Sequence, residues 1–432
     1  MTRRSLIFVS LLLALAVSTG AEKKQQRLFL DHADQFEVVL TDDNYVTWVT
    51  GDVVFTTETG NIRCDSARWV KGENARLNGH VVIDEKEYRI RSDSAFYDVQ
   101  TEEALALGSR VELWSYDDSL FAVGEHAFYS RRDEYFIMEK RPVLYINYPD
   151  SARMIEVIAD EIEHDARTGK AQAIGDVTIS SDEFSSHSGC AVVNTDTDQL
   201  DLFEEPAARR GQSEITGKLI SVYYDSQNIR QIDIIDSAHA VFKEPIDTTE
   251  TDFDESILSG RRIIMNFVQG EIDNVLCYGQ AYSWYYPSPR GGTQIDENTA
   301  SGDTIRFDID QEQLKVVYII GGAVGRYLTG DLKMVDSLVV RQVDTVDYFG
   351  HYIEYDLVDS LITLRQAARV ESGAVSLGAQ EVLFDTKEKT VEAYSAFAGK
   401  DTTTSPYDVS ADLQPNTIPV ILRDRNEEVY GD

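Results

Sequence analysis

The side chains best suited to bind a metal or to act as nucleophiles are scattered along this chain. Its seven histidines, at positions 32, 80, 126, 164, 187, 239 and 351, include no pair at the short spacing typical of zinc ligands. Cys64, Cys190 and Cys277 are far apart and odd in number, so they indicate no disulfide framework. One disulfide bond between two of them is still compatible with the sequence. The sequence therefore predicts no resident metal and no cofactor.

Carboxylates are the next candidates for chemistry. Asp196, Asp198 and Asp201 carry oxygen atoms suited to calcium, but the glycine and the closing glutamate of a helix-loop-helix calcium site are missing, which favours a polar turn. Because the chain has 75 acidic residues, close carboxylate pairs are common and do not indicate a glycosidase. The sequence also lacks a phosphate-binding glycine loop and a serine nucleophile elbow. We therefore expect a protein that is not an enzyme.

The overall charge excludes further classes of function. Forty Lys and Arg residues against 75 Asp and Glu residues give a formal net charge of −35. Nucleic-acid binding needs clustered basic residues, so it is excluded as a general role. The same charge disfavours adsorption to an anionic lipid surface, whereas it suits a solvated surface that keeps a long β protein soluble.

An internal repeat indicates which elements position the side chains. Segments that begin at Gly51, Gly79 and Gly108 start 28 and then 29 residues apart, and each opens a run of alternating apolar and polar residues. Alternation of this kind predicts half-buried strands, and a fixed period predicts stacked units that bury one face against their neighbours. Each copy is followed by a small residue two positions before an aromatic one: Ala67/Trp69, Ala95/Tyr97 and Ala127/Tyr129.

The repeat continues with drift. The segment from Gly175 matches the first copies closely, and 140–145 is interpreted as a copy that has lost its glycine. Later copies near Gly279, Gly322 and Ala368 are 43 and 46 residues apart, which predicts insertions that form loops on one face. An extra residue after Gly108 predicts a β-bulge.

The ends of the chain differ from the repeats. Two arginines, an apolar run over 6–17 and small residues up to position 21 are typical of a cleavable signal peptide. Export would place the mature chain outside the cytoplasm. We expect a signal peptide at 1–21, repeats over 27–243 and 258–400, and a polar, flexible tail at 401–432.

The repeat after an export segment resembles the OstA-like family. That family comprises the periplasmic bridge proteins of lipopolysaccharide transport and the soluble N-terminal domain of the outer-membrane translocon. The resemblance is good over residues 45–180 and diffuse from there to about residue 400. It is carried by these pairs: Gly51/Val53, Ala67/Trp69, Gly79/Val81, Ala95/Tyr97, Gly108/Val111, Ala127/Tyr129 and Gly175/Val177.

The resemblance implies an all-β fold, an open and twisted V-shaped β-jellyroll whose apolar inner faces hold acyl chains. It implies a periplasmic location, a lipopolysaccharide-like glycolipid as cargo, and edge-strand addition to other transport components or head to tail to a second copy. The length suggests either two blocks that meet near 243–258 or one continuous array. The predicted lipid groove consists of the inward residues of alternating strands: Val53, Phe55, Ile62, Val81, Ile83, Ile90, Val111, Leu113, Val177 and Ile179.

Two other functions remain open from the sequence. The first is a structural or adhesive β-solenoid without lipid cargo, and the second is a polysaccharide-active solenoid enzyme, which would need clustered Asp or Arg on successive strands. The aromatic stretch 282–286 fits a ligand-stacking patch, a partner surface or strand packing. Strand packing is favoured because aromatic residues are enriched in strands.

Overall fold

The structure is a computed structural model that describes most of the chain after residue 27. The described residues are 28–41, 45–86, 88–116, 120–146, 154–165, 167–181, 184–194, 196–225, 229–245, 253–286, 294–310, 313–335, 338–372, 375–385, 387, 390–394, 420–424 and 427–430. The predicted signal peptide and most of the predicted tail lie outside these residues. The described part of the chain contains no helix that is long and apolar enough to cross a membrane.

The described residues confirm the all-β prediction, and most of the paired strands run antiparallel. The first strands are β1 Phe29–His32, β2 Gln35–Leu40, β3 Tyr45–Thr56, β4 Gly60–Val70, β5 Asn74–Glu85, β6 Tyr88–Asp98, β7 Glu103–Ser115, β8 Leu120–Ser130, β9 Tyr135–Glu139, β10 Val143–Ile146, β11 Ile155–Ile158, β12 Glu161–Asp165, β13 Lys170–Ser180, β14 Ser185–Asn194, β15 Gln199–Phe203 and β16 Ala207–Arg210. The later strands are β17 Ser213–Thr216, β18 Leu219–Tyr224, β19 Ile229–Pro245, β20 Phe253–Val268, β21 Glu271–Tyr286, β22 Gln294–Asp310, β23 Gln313–Val335, β24 Leu338–Asp356, β25 Leu361–Ser372, β26 Val375–Asp385, β27 Thr390–Tyr394, β28 Val420–Asp424 and β29 Glu427–Tyr430.

The chain forms two compact units. The first comprises Met1–Arg210 with Tyr223–Gln227, and the second comprises Gly211–Val222 with Asn228–Asp432. The repeat blocks proposed from the sequence, at 27–243 and 258–400, stay a prediction. Within the predicted tail, β28 pairs in parallel with β27 and β29 pairs antiparallel with β28.

Alternation of apolar and polar residues explains why these segments form strands with one buried face. In β5, Val81 and Ile83 are buried, whereas Val82 between them is half-buried and His80 is exposed. In the paired strand β6, Ile90 lies opposite Ile83 and is buried as well. Successive side chains in a strand point to opposite faces, so one face of each strand carries the apolar set.

A repeated bulge interrupts each long strand near its middle. In β5 the register with β6 shifts between Asn78 and Val81, and both Gly79 (φ 76°) and His80 (φ 45°) take the left-handed conformation. The carboxylate of Asp65 on β4 occupies the space that a Cβ atom at residue 79 would need. Glycine is therefore required at residue 79 for two reasons. It adopts a positive φ without strain, and it has no Cβ atom to collide with Asp65.

The same arrangement of a carboxylate over a bulge glycine recurs along the chain, and we call this row of positions the crease. It explains much of the glycine period that the sequence shows, because several repeats supply one glycine and one acidic residue to it. The corresponding carboxylate and glycine pairs are Asp34/Gly51, Asp65/Gly79, Asp93/Gly108, Asp160/Gly175 and Asp303/Gly321.

The strands of the first unit bend at the crease, so that the two halves of each strand face each other. The rings of Phe55 and Trp69 lie 5.6 Å apart in an edge-to-face arrangement. Trp69 pairs with Thr47, eight residues before Phe55 on β3. A straight strand would separate those two positions by about 26 Å. The ring contact therefore requires a sharp bend between them.

The repeat copy at 140–145, which has no glycine, forms the crease with two other residues. Lys140 (φ 70°) and Arg141 (φ 55°) both take the left-handed conformation between β9 and β10. These two short strands pair with the two halves of β8 and so correspond to one long strand broken at the crease. The guanidinium of Arg141 contacts carboxylates of Asp160 at 3.4 Å and Asp176 at 2.8 Å. The interpretation of 140–145 as a repeat copy is confirmed.

The later repeats are longer mainly because their strands are longer. The sequence placed their additional residues in surface loops, whereas β21, β22 and β23 have 16, 17 and 23 residues. As in the earlier repeats, the strand register shifts at the crease glycines, here Gly279 and Gly321. The added residues continue the register with the neighbouring strand, so hydrogen bonding between the strands satisfies their backbone groups.

Candidate functional site

Eight of the ten predicted groove residues form or border one apolar interior in the first unit, which we call the seam, whereas Val177 and Ile179 are not part of it. Val53, Phe55, Ile62 and Val111 are each 0% exposed. Leu113 is half-buried and packs against this cluster. Val81, Ile83 and Ile90 belong to the same cluster, and Val177 and Ile179 are buried on β13.

The seam also contains residues that were not predicted as groove residues. Most lie on the other side of the crease from the predicted residues, which is before the crease in β3, β5 and β7 and after it in β4, β6 and β8, and small residues predominate there. The signal for them was present, because Ala67, Ala95 and Ala127 recur as landmarks of the repeat. Its other buried members include Val49, Leu77, Ala75, Ala104, Ala106, Ala122 and Met138.

The seam is filled by its own side chains. Phe55, Ile62, Leu77 and Ile83 are among the largest fully buried side chains of the described residues. A packed interior of this kind has few voids as large as a water molecule. In this state the predicted groove is therefore an apolar core, and a lipid chain can enter it only if the two halves of the strands move apart.

One donor in the seam is not satisfied. Trp69 is 9% exposed, and its Nε1 atom is buried without a hydrogen-bond partner in the described part of the chain. A buried donor without an acceptor costs about 1–3 kcal/mol. An oxygen atom of a bound molecule would remove that cost.

Polar groups gather where β5 ends and β6 begins. Glu85 is buried and accepts hydrogen bonds from the hydroxyls of Thr57, at 3.0 Å, and of Thr59. Burial raises the pKa of Tyr88 and the pKa of Tyr97 well above the ordinary tyrosine value, so both phenols stay neutral. These groups mark a polar end to the otherwise apolar seam.

The residues that could bind metals remain dispersed in the structure. Nδ1 of His80 lies 2.8 Å from Oδ2 of Asp65, and the ring of His126 lies 3.7 Å from Glu139. Asp196 and Asp198 lie in the turn between β14 and β15. No group of three or more His, Cys, Asp or Glu side chains is arranged to hold a metal ion among the residues described.

The cysteines are free thiols. Cys64 and Cys277 are buried, and burial raises the pKa of the Cys64 thiol to about 11 and that of Cys277 to about 12. A thiol protonated at neutral pH is a poor nucleophile. Cys64 therefore acts as a small buried apolar residue of β4.

A charged cavity of about 800 Å³ lies on the second unit, at its crease. Its lining includes Lys218, Asp236, His239 and Arg261, and the Arg261 guanidinium lies 3.7 Å from Asp236. Glycoside hydrolysis usually needs two carboxylates that flank the bond to be cut. Asp236 is the one carboxylate among the described lining residues, so the cavity does not fit that chemistry.

Exposed apolar residues concentrate on the first strands of the first unit. All six residues of β2 are exposed, and Phe36 and Leu40 are 71% and 68% exposed. This strand pairs along one edge with β3, and the described residues give its other edge no strand partner. Unpaired backbone groups beside apolar side chains form a template for strand addition.

One solved structure with a similar arrangement is that of LptH, described as the LptA-homologous periplasmic component of the lipopolysaccharide transport device of Pseudomonas aeruginosa. It is 18% identical, with a TM-score of 0.23, and the match covers 33% of this chain and 85% of LptH. No protein-family model matches the chain, and no curated protein matches it.

Proposed function

We propose that this chain is a non-enzymatic periplasmic protein that carries or bridges lipopolysaccharide-like glycolipid on its way to the outer membrane. The observation that carries the proposal is the seam, an apolar interior assembled from consecutive repeats between the folded halves of the strands. Acyl chains avoid water by entering such a surface, which supplies the driving force for transfer.

Acyl binding requires the seam to open along the crease. Opening would expose residues such as Phe55 and Ile83, and acyl chains would replace the contacts that these side chains lose. Because one apolar contact replaces another, the net free-energy cost is smaller than that of exposing the seam to water. The buried Nε1 atom of Trp69 would then donate to an ester, amide or hydroxyl oxygen of the lipid.

The partners in this proposal attach through the first strands of the chain. The free edge of β2, with Phe36, Val38 and Leu40 exposed, suits strand addition by another transport component or by the end of a second copy. Such pairing adds backbone hydrogen bonds and buries apolar side chains together. Chains joined in this way would form a longer path along which lipid moves.

A structural or adhesive β protein without lipid cargo is the second candidate. The filled state of the seam favours it, because a packed interior also stabilises a fold that binds nothing. The two candidates differ in what the seam does when glycolipid is present. In the second, the seam stays closed.

Binding of lipopolysaccharide to the purified full chain, measured by isothermal titration calorimetry, tests the proposal. Leu113 borders the seam and is half-buried, so Leu113→Asp places a charge where acyl chains would pass without emptying the core. Val82→Asp, on the opposite face of β5, is the matched control.

The proposal predicts binding by the wild type and by Val82→Asp, and binding at least about tenfold weaker by Leu113→Asp. Circular dichroism must show that both variants are folded. Equal binding by the two variants, or no binding by the folded wild type, would support the structural candidate instead.

A further inference from the structure

The outer face of the second unit carries a shallow depression with aromatic sides. Tyr282, Ser301, Val324 and Phe349 form one row across β21, β22, β23 and β24, each paired with the next. They surround a depression of about 240 Å³, which we call the aromatic depression. Tyr282 and Val324 are 40% and 41% exposed, so this row does not serve as core packing.

Polar side chains next to this row are fixed by contacts of their own. The guanidinium of Arg326 donates two hydrogen bonds to the carboxylate of Asp347, from Nε at 2.6 Å and from Nη2 at 3.0 Å. A guanidinium has five N–H donors and a carboxylate has about four acceptor sites, so this pair can still bind further groups. Both residues line the aromatic depression.

The aromatic rings are also held in place. The guanidinium of Arg369 lies 4.4 Å from the centre of the Phe349 ring. Two residues beyond Tyr282, Trp284 donates from Nε1 to Oε1 of Glu297 at 2.8 Å and stacks on Tyr286 at 5.7 Å. Residues 282, 284 and 286 share one face of β21 because side chains alternate along a strand. Fixed side chains lose little entropy when a ligand binds.

Exposed aromatic rings beside paired donors and acceptors suit a sugar. A pyranose ring has an apolar face of C–H groups, which packs against the electron-rich face of an aromatic ring, and hydroxyls at its rim that need donors and acceptors. The depression is smaller than the roughly 300–1,000 Å³ of drug-sized pockets, and its open form lets a chain of sugars extend beyond it.

The charges favour a neutral sugar. Arg326 is neutralised by Asp347, and Arg369 lies 3.3 Å from Glu371, so the described residues of the rim offer no unpaired cation to an acidic group. A net charge of −35 repels acidic sugars further. A protein partner fits less well, since a stable interface needs about 800 Å² on each side.

We propose that the aromatic depression binds a neutral oligosaccharide, with sugar rings stacked on Tyr282 and Phe349 and hydroxyls bonded to Arg326 and Asp347. The site lies on the outer face, so it does not depend on the seam or on acyl chains. Of the three interpretations of 282–286, this assigns ligand stacking to Tyr282, while Trp284 and Tyr286 support the strand.

Saturation-transfer NMR with the purified full chain tests the proposal. The probes are chitohexaose, cellohexaose and maltohexaose, three neutral chains that differ in linkage and substituents. We expect at least one of them to receive saturation at its ring protons. Tyr282→Ala and Phe349→Ala should each weaken that binding at least about tenfold.

Tyr285→Ala is the matched control, because Tyr285 is 43% exposed on the same strand but faces the opposite side. It should change the affinity less than about twofold. Arg326→Gln, which keeps a polar group but shortens the side chain and removes the two parallel hydrogen bonds to Asp347, should weaken binding by an intermediate factor. The proposal is overturned if none of the three hexasaccharides binds the folded wild type. It is also overturned if Tyr282→Ala and Phe349→Ala bind as well as Tyr285→Ala, or if this face binds phospholipid vesicles instead.

Discussion

The strands of both units are interrupted by the same kind of left-handed bulge, but the units differ in strand length and in where they place exposed aromatic residues. From β3 to β8 the strands have 11 to 13 residues, whereas β20 to β24 have 16 to 23. The shorter strands of the first unit enclose the seam. The longer strands of the second carry the aromatic depression on their outer face.

The residue opposite the bulge glycine varies along the chain, although Gly321 in the second unit faces the carboxylate of Asp303 as the glycines of the first unit face theirs. Gly79 in the first unit faces the carboxylate of Asp65, whereas Gly279 in the second faces the aliphatic part of Arg261. Both glycines keep a positive φ, at 76° and 73°. Backbone conformation therefore defines the crease, whereas the side chain that faces the bulge glycine varies.

Loss of a seam aromatic should have the largest effect. Phe55→Ala removes a fully buried ring and its contact with Trp69. We expect the free energy of unfolding of the first unit to fall by about 3–5 kcal/mol. Urea denaturation followed by circular dichroism measures this, and Phe36→Ala, at a site 71% exposed, should change it by less than about 0.5 kcal/mol. Equal effects of the two variants would show that the seam is not a packed core.

A side chain at the crease should have the next largest effect. Gly79→Ala adds a Cβ atom at positive φ and against Asp65, whereas Gly72→Ala, with φ 79° in an open turn, adds only the conformational strain. We expect losses of about 2–4 kcal/mol and about 1 kcal/mol respectively, by thermal or urea denaturation. The combination of Asp65→Ala with Gly79→Ala should recover part of the difference. If Gly72→Ala costs as much as Gly79→Ala, the carboxylate contact has no energetic role.

Charges on the free edge should weaken association without unfolding the chain. Phe36→Asp together with Val38→Lys replaces two exposed apolar residues of β2. Sedimentation velocity should show head-to-tail association weakened at least about tenfold, because apolar burial at the added strand is lost. Val268→Lys, at a site 58% exposed in the second unit, is the control and should leave association unchanged. Association that survives the double substitution would place the contact elsewhere.

The smallest expected effect is on the pH dependence of stability. Burial lowers the pKa of His164, so the unfolded chain binds a proton more readily there, and this contribution to stability is lost as the pH falls through the ordinary histidine pKa. His80 acts in the opposite sense, because its hydrogen bond to Asp65 raises its pKa and its contribution is lost as the pH rises through that raised value. Comparison of His164→Asn with His80→Asn across pH 5–8 should show slopes that change in opposite directions. Slopes that change in the same direction would contradict the assignment.

The sequence predicted the class of fold because its two periods report directly on structure. Alternation places Val81, Ile83 and Ile90 on the buried face, and the glycine period locates the crease at Gly51, Gly79 and Gly175. The acidic partner of each glycine could not be recognised, because it lies on the preceding strand and acidic residues are common throughout this chain. Strand pairing was needed to bring Asp65 over Gly79.

The candidate sites were predictable only in part. The inward residues of the first unit follow from alternation, but whether they line an open groove or a filled seam depends on how two halves of a strand meet. That contact joins Phe55 to Trp69, which are distant along the sheet. The aromatic depression needed register across four strands, because Phe349 lies far from Tyr282 in sequence. The pairing of Arg326 with Asp347 has no local signal in the sequence.

The central claim is that acyl chains occupy the seam of the first unit, and photocrosslinking in cells tests it most directly. A light-activated residue at Ile83 faces the seam, and one at Val82 faces the opposite side of the same strand. With labelled lipopolysaccharide, adducts at Ile83 and none at Val82 are the predicted result. A second inward position at Leu113 should also give adducts. Absence of adducts at both inward positions, in a chain shown to be expressed and folded, would contradict the claim and leave a structural β protein as the better account.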